Sequence, residues 1–345
     1  MGRRQRLLPQ AGPRRVRRIA LFALVALPAC GRDRVWDIEF FGYKGIDVAS
    51  VRHAVPVREG DAFAGEGTKE KIRKAVTATL GREPTDVTAV CCDENQDFVL
   101  FIGLPGSTNQ CFSYNPEPKG TARLSDELTR LDARLDEAWR SAVQKGGESA
   151  HEDDSKGYAL SSDPALHSLQ VKLRQYALAR EDELLSVLET SSDPHQRRIA
   201  AQALGYANKS PRQIEMLVRA ARDLDFVVRN NAIRALGVLA SSDAKLARGI
   251  PAGDFIDMLN SGSWTDRNKG LFLLDALSSG RDPALLAELQ TRAMDSLIEM
   301  AKWRDTGHAY TARILLGRIA GIPEERLRHL ASGPPDPILD ALPRP

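Results

Sequence analysis

The first third of the chain alternates apolar and polar residues with a period of two, and its C-terminal half repeats them at helical spacing. Val35 to Phe41 predicts a strand with Trp36, Ile38 and Phe40 on one face and Asp37 and Glu39 on the other. Asp47 is placed to cap a short helix through Val48, Val51 and Val55. A second helix over Lys69–Leu80 carries Ile72, Val76 and Leu80 on one side and stops at Gly81. Asp86–Cys92 and Asp97–Leu104 read as two strands joined by the polar residues 93–96. The predicted order is therefore β-α-α-β-β.

Residues 105–120, rich in Pro, Gly, Ser and Asn, predict a loop. Ser125 then caps a helix to about Lys145, with Leu124, Leu128, Leu131, Leu135 and Ala142 forming its apolar face. That face is expected to pack on the rest of the fold. Residues 146–156, with Glu148, Glu152, Asp153 and Asp154, predict a flexible acidic linker, and Pro334–Pro345 a frayed tail.

The strongest pattern lies beyond residue 160. Asp193–Gly205 and Asp225–Gly237 align without a gap as D-x-x-x-R-x-x-A-x-x-A-L-G. Ser263–Asp275 is a looser copy, Asp305–Gly317 another with Ala309 where Arg is expected, and Asp163 begins a degenerate one. Their starts are 30, 32, 38 and 42 residues apart, the periodicity of a solenoid. Each Asp is suited to cap the second helix of a pair, and the Ala positions let neighbouring helices approach closely. Leu204 and Leu236 would fill the shared core, with Gly205 and Gly237 in or near the end of their helices. The first helices are expected over 184–188, 214–221, 255–259 and 285–300. Arg197, Arg229 and Arg267 recur at one position; a ladder for anions is conceivable, but bonding to acids and carbonyls of adjacent copies is the expected role.

This motif resembles short HEAT repeats of the kind found in bilin-lyase-like proteins. The β-α-α-β-β order, with residues 38–46 and 57–63, resembles a POTRA domain, which implies peptide or partner binding, often by strand addition at a sheet edge. The expected fold class is mainly α: a HEAT-type α-solenoid preceded by a small α+β domain. The expected units are 1–29 signal peptide, 30–34 tether, 35–115 POTRA-like domain, 116–157 linker and long helix, 158–332 solenoid and 333–345 tail.

Charge and cysteines add a compartment. The formal charge is +2, but residues 1–29 hold seven arginines and no acid. From Cys30 onward, 41 basic residues face 46 acidic ones, a net of −5, which provides no footprint for nucleic acid. The apolar run Ile19–Ala29 is too short to span a bilayer, which takes about 20 residues, and reads as an export signal. Leu27-Pro28-Ala29-Cys30-Gly31 resembles a bacterial lipobox, which implies lipidation of Cys30 and anchoring in the cell envelope, and Arg32 favours the outer membrane. Adjacent strand residues face opposite ways, so a disulfide would join either Cys91 or Cys92 to Cys111, not both.

No motif of a metalloprotease, serine hydrolase, Walker loop or paired-cysteine zinc site occurs. The six histidines are scattered, and His151 lies in the acidic linker. No catalytic, cofactor or metal residue is assigned. The resulting expectation is a membrane-tethered scaffold that binds a protein partner on its repeat surface. The alternative is an envelope-assembly accessory that binds through the POTRA-like domain; a bilin-lyase-like activity is implied by the repeat resemblance alone and fits export poorly.

Overall fold

The computed structural model describes residues 34–91, 97–110, 112–145 and 151–343. The leader, Cys30, Cys92 and Cys111 lie outside them, as does the Cys91 side chain, so lipidation and the disulfide fall outside the described structure.

The N-terminal elements are β1 (Val35–Phe41), α1 (Val48–Ala54), α2 (Glu66–Leu80), β2 (Asp86–Cys91) and β3 (Phe98–Gly103). The sheet order is β1-β3-β2, with β1 parallel to β3 and β2 antiparallel to it. A central strand covered on both faces needs a continuous apolar run, and all six residues of β3 (FVLFIG) are buried. One face packs Leu100 and Ile102 under Val51, Val55, Ile72 and Val76 of α1 and α2. Phe41, Val90, Val99 and Phe101 of the other face join the core of the helical half.

The alternation in β1 departs from expectation at Trp36. A register shift between Val35 and Asp37 places Val35, not Trp36, with Ile38 and Phe40, and Trp36 is left exposed. The expected polar face, Asp37 and Glu39, is buried as well, because the helical half covers it.

Helix α3 (Asp126–Lys145) follows, with Leu124 and its stripe Leu128, Leu131, Leu135 and Ala142 buried against α4 (Pro164–Ala179). Pairs then stack in sequence: α5 (Glu181–Thr190) with α6 (Pro194–Leu204), and α7 (Pro211–Ala220) with α8 (Phe226–Ser242). After the short α9 (Ala244–Arg248) come α10 (Gly253–Met258) with α11 (Trp264–Leu277), and α12 (Pro283–Ala301) with α13 (Thr306–Ile319). Two expected flexible segments are structured. Glu152–Asp153 (β4) pairs with Leu160–Ser161 (β5), and the C-terminal segment, after α14 (Glu324–Ala331), forms α15 (Asp336–Leu339) with Ile338 fully buried. Burying Glu152 beside Arg234 and Ile338 in the core outweighs the entropy of freeing those segments.

The recurring glycine marks where the next copy comes closest. A Cβ on Gly205 would lie 2.8 Å from the Cβ of Ala235 in α8, and one on Gly317 would meet Leu327 of α14. Gly237 lies inside α8, and the Phe272 ring of α11 packs over its bare backbone. Gly205→Ala is expected to cost about 1–3 kcal/mol by overpacking. Ala235→Gly in the same chain should recover part of that loss despite its own helix cost of about 1 kcal/mol. A thermal-denaturation double-mutant cycle reads the coupling; strictly additive effects would mean that the two helices do not meet there.

Candidate interaction surface

Three copies of the repeat begin with a turn held by their own arginine. Arg197, Arg229 and Arg267 donate to the carbonyls of Ser191, Asp223 and Ser261, six residues back in every case, at 2.9, 2.8 and 2.7 Å. In the degenerate first copy His167 stands at that position, its Nδ1 3.0 Å from the carbonyl oxygen of Ser161. The rest of each guanidinium reaches the following copy. Arg197 forks onto Asp223 at 2.7 and 2.9 Å, Arg229 meets Asp266 at 2.8 Å and Arg267 meets Glu299 at 3.5 Å. All three arginines are at most 4% exposed, so this is a buried chain of charges rather than a surface ladder for anions.

The motif acids cap as their position suggests. Asp193 Oδ1 accepts from His195 N at 2.9 Å and Asp225 Oδ1 from Val227 N and Val228 N. Where the motif fails, other residues substitute. Ser263 makes no side-chain cap, and the half-buried Asp86 of β2 accepts the amide of Trp264 at 2.8 Å. Where Ala309 replaces the arginine, Arg313 one turn later donates to the carbonyls of Ala301, Trp303 and Gly333.

The segment between β3 and α3, expected to be a loop, is an extended strap along these turns. The amides of Gln110, Asn115 and Gly120 donate to the carbonyls of Asn260, Arg222 and Thr190 at 2.8, 2.7 and 2.7 Å. The strap thus advances five residues per copy, and each accepting carbonyl lies three residues before its motif start. Tyr114 donates its hydroxyl to Asp266 at 2.7 Å and lies 4.3 Å from the Arg229 guanidinium. In the first copy β4 replaces the strap, pairing Asp153 with Leu160. The sequence signal was faint: a polar, Pro-spaced segment has no apolar period, and its regularity appears only against the repeat.

The chain of charges ends where the N-terminal domain docks. Glu299 of α12 accepts the backbone amides of Gly42, Tyr43 and Lys44 at 2.7, 3.0 and 3.1 Å, and the Thr108 hydroxyl at 2.7 Å. Gly42 has φ of +69°, the left-handed conformation that glycine allows and that turns these amides toward one carboxylate. Around it, Phe101 packs against Trp264, Trp303 and His308 with ring centroids 4.8–5.0 Å apart. Glu39 accepts the amide of Arg304, and Asp37 lies 3.3 Å from the Arg304 guanidinium. Burial, then the neighbouring Asp37 charge, pushes the Glu39 carboxyl up to about 8, opposed more weakly by the Arg304 amide and the Arg52 charge.

On α8, Val227, Asn230, Asn231, Arg234, Ala235 and Val238 fall at helical spacing along one face, which opens into a cleft of about 200 Å³. Leu135 and Trp139 of α3, Tyr158 of the β4–β5 hairpin and Gln202 of α6 also border it. Glu152 bonds Arg234 there and accepts from Gln170 at 2.8 Å. Elsewhere on α3, burial first and the Asp136 charge second push the Asp132 carboxyl up to about 7. Among the described residues no cluster of metal-ligating side chains occurs, and no helix is long and apolar enough to cross a membrane.

Residues 181–247, spanning α5 to α8, match HEAT repeats. No curated protein matches the chain. Among solved structures, a designed armadillo repeat protein in complex with peptide (KR)4 is 17% identical, covers 52% of this chain and 85% of its own, and has a TM-score of 0.36. An engineered protein known from its crystal structure is 15% identical, covers 63% of this chain and 98% of its own, and has a TM-score of 0.37.

Two measurements follow from this geometry. Arg197→Met strands the Asp223 carboxylate in the core and is expected to cost about 3–5 kcal/mol in chemical denaturation. Arg212→Ala, which removes only the exposed pair with Asp182, should cost less than about 1 kcal/mol. For Glu39, the folded chain keeps a proton that the unfolded chain releases between about 4.5 and 8, so stability falls as pH rises through that window. Asp132 acts in the same direction. Glu39→Gln should flatten, without abolishing, the decline in urea midpoint from pH 5 to 8; an unchanged slope would show that Glu39 ionises freely in the fold.

Proposed function

We propose that this chain is a protein-binding scaffold of the bacterial cell envelope, exported by its leader and tethered through lipid on Cys30, whose HEAT-type repeats hold a partner. The observation that carries the reading is the chain's own strap. The repeat turns already hold one extended segment, the chain's own, through one main-chain hydrogen bond per copy, and the partner is proposed to lie beside that strap rather than on the carbonyls it occupies. The match of residues 181–247 to HEAT repeats supports the same reading. Beside the strap, Leu224 and Phe226 flank the capping Asp225 and are 52% and 40% exposed, an apolar patch suited to the partner.

A second reading has one observation in its favour. β2 is one of the two outer strands of a β-α-α-β-β sheet, where a POTRA-like domain of an envelope-assembly accessory would add a partner strand. Deleting residues 35–115 cannot separate the two, since Phe41 and Phe101 belong to the solenoid core. Surface variants can. In-cell cross-linking and purification of the full chain should recover one stoichiometric partner. Its loss with Leu224→Glu plus Phe226→Glu, and retention with Thr88→Lys on β2, is the expected result. The opposite pattern would move the binding site to the sheet edge, and no stoichiometric partner from any version would sink the scaffold reading.

A further inference from the structure

The bulge in β1 turns a tryptophan outward at the end of the sheet where the chain enters. The register shift between Val35 and Asp37 puts Val35 with Ile38 and Phe40 under α1 and α2, and leaves Trp36 37% exposed. Bulges re-aim single side chains, and the one re-aimed here is the largest in the strand. The same end carries the exposed Arg34 and the exposed turn 58–62. Val35 donates its amide to the Asp61 carbonyl at 2.8 Å and accepts from Gly60 N at 2.7 Å, while the Arg34 guanidinium donates to the Gly60 carbonyl. Strand and turn thus form one rim. That rim is tied to the helical half twice. Glu59 pairs with Arg304, and β1 leads into the Gly42–Lys44 turn that Glu299 holds. The orientation of the rim is therefore the orientation of the solenoid.

The length of chain before the rim decides what it faces. Arg34 is four residues beyond Cys30, and Trp36 is six. A fully extended chain covers at most about 3.6 Å per residue, so Arg34 lies within about 14 Å of Cys30 and Trp36 within about 22 Å. Lipid on Cys30 therefore holds the rim at the bilayer surface, where the headgroup layer is about 5–8 Å deep on each side. Charge is not what seats it there, because Arg34 and Arg58 are balanced by Glu59 and Asp61. Tryptophan is enriched at that depth, since its ring is apolar and its N–H polar. The other large apolar side chains exposed among the described residues, such as Leu224 and Phe226, all belong to the helical half. We infer that Trp36 is a membrane contact: its indole lies in the headgroup region and sets the orientation of the sheet, and so of the solenoid, above the bilayer. The contact rests on the lipid tether at Cys30 proposed above, and is independent of where on the repeats a partner binds.

The experiment uses the mature chain purified from cells and reconstituted in phosphatidylcholine vesicles, with and without lipids brominated near the headgroup end of their acyl chains. Bromine quenches indole emission only on contact. Of the four tryptophans, Trp264 and Trp303 are buried and Trp139 is half-buried on α3. Brominated vesicles are expected to quench the native chain and to leave Trp36→Phe unquenched; Trp139→Phe should keep the native quenching. Both substitutions replace a ring that is not fully buried, so the fold is expected to survive them. The intact mass of the same sample reads acylation. A chain without acyl groups on Cys30 overturns the tether and this contact together. An acylated chain that brominated lipid leaves unquenched, or quenches equally in the native and Trp36→Phe forms, overturns the contact alone. So does loss of quenching in Trp139→Phe, which would place the membrane against α3.

Discussion

The structure depends on one repeated interaction: a buried arginine that ties the turn of its own copy to an acid in the next. Taking a guanidinium and a carboxylate out of water is costly, and geometry this complete is needed to offset it. Arg197 satisfies that demand with a carbonyl behind it and both oxygens of Asp223 ahead. Arg229 repeats the arrangement with Asp266. Apolar packing between helix pairs is tolerant of small slides, whereas these charges fix the offset of each pair against the next.

The end of that chain explains why the small sheet is not a separate module on a tether. Arg267 reaches Glu299, and Glu299 also gathers the three amides of the Gly42–Lys44 turn. The same carboxylate therefore closes the repeat stack and seats the N-terminal domain. The copies that this domain touches are the ones whose motif is degraded. Asp86 caps the helix that begins after Ser263, and Phe101 sits among Trp264, Trp303 and His308. Motif decay in the fourth and fifth copies, which begin at Ser263 and Asp305, is thus compensated by contacts from outside the repeat.

Two surfaces result, with different properties. Along the turns, main-chain carbonyls recur at a fixed step and accept the amides of the chain's own Gln110, Asn115 and Gly120. On the α8 face, side chains from α3, α4, α6, α8 and the β4–β5 hairpin converge on a cleft. The first suits recognition that is periodic and tolerant of sequence; the second is a compact recess lined by both apolar and polar side chains.

Local regularities were legible in the chain alone. The D-x-x-x-R-x-x-A-x-x-A-L-G copies, the capping acids, the apolar stripe of α3 and the β-α-α-β-β order all rest on short-range periodicity and capping, which neighbours in sequence determine. What the sequence left open required partners far along the chain. Asp37 and Glu39 read as a solvent face because alternation marks polarity, not what later covers it; only α12, α13 and their connecting turn bury them. The bulge that turns Trp36 outward is a property of pairing with β3, not of β1 itself. Residues 105–120 looked like loop because a strap held by main-chain amides leaves no pattern in its side chains. The cleft likewise exists only in the tertiary structure, because α3, the β4–β5 hairpin and α8, which line it, are far apart along the chain.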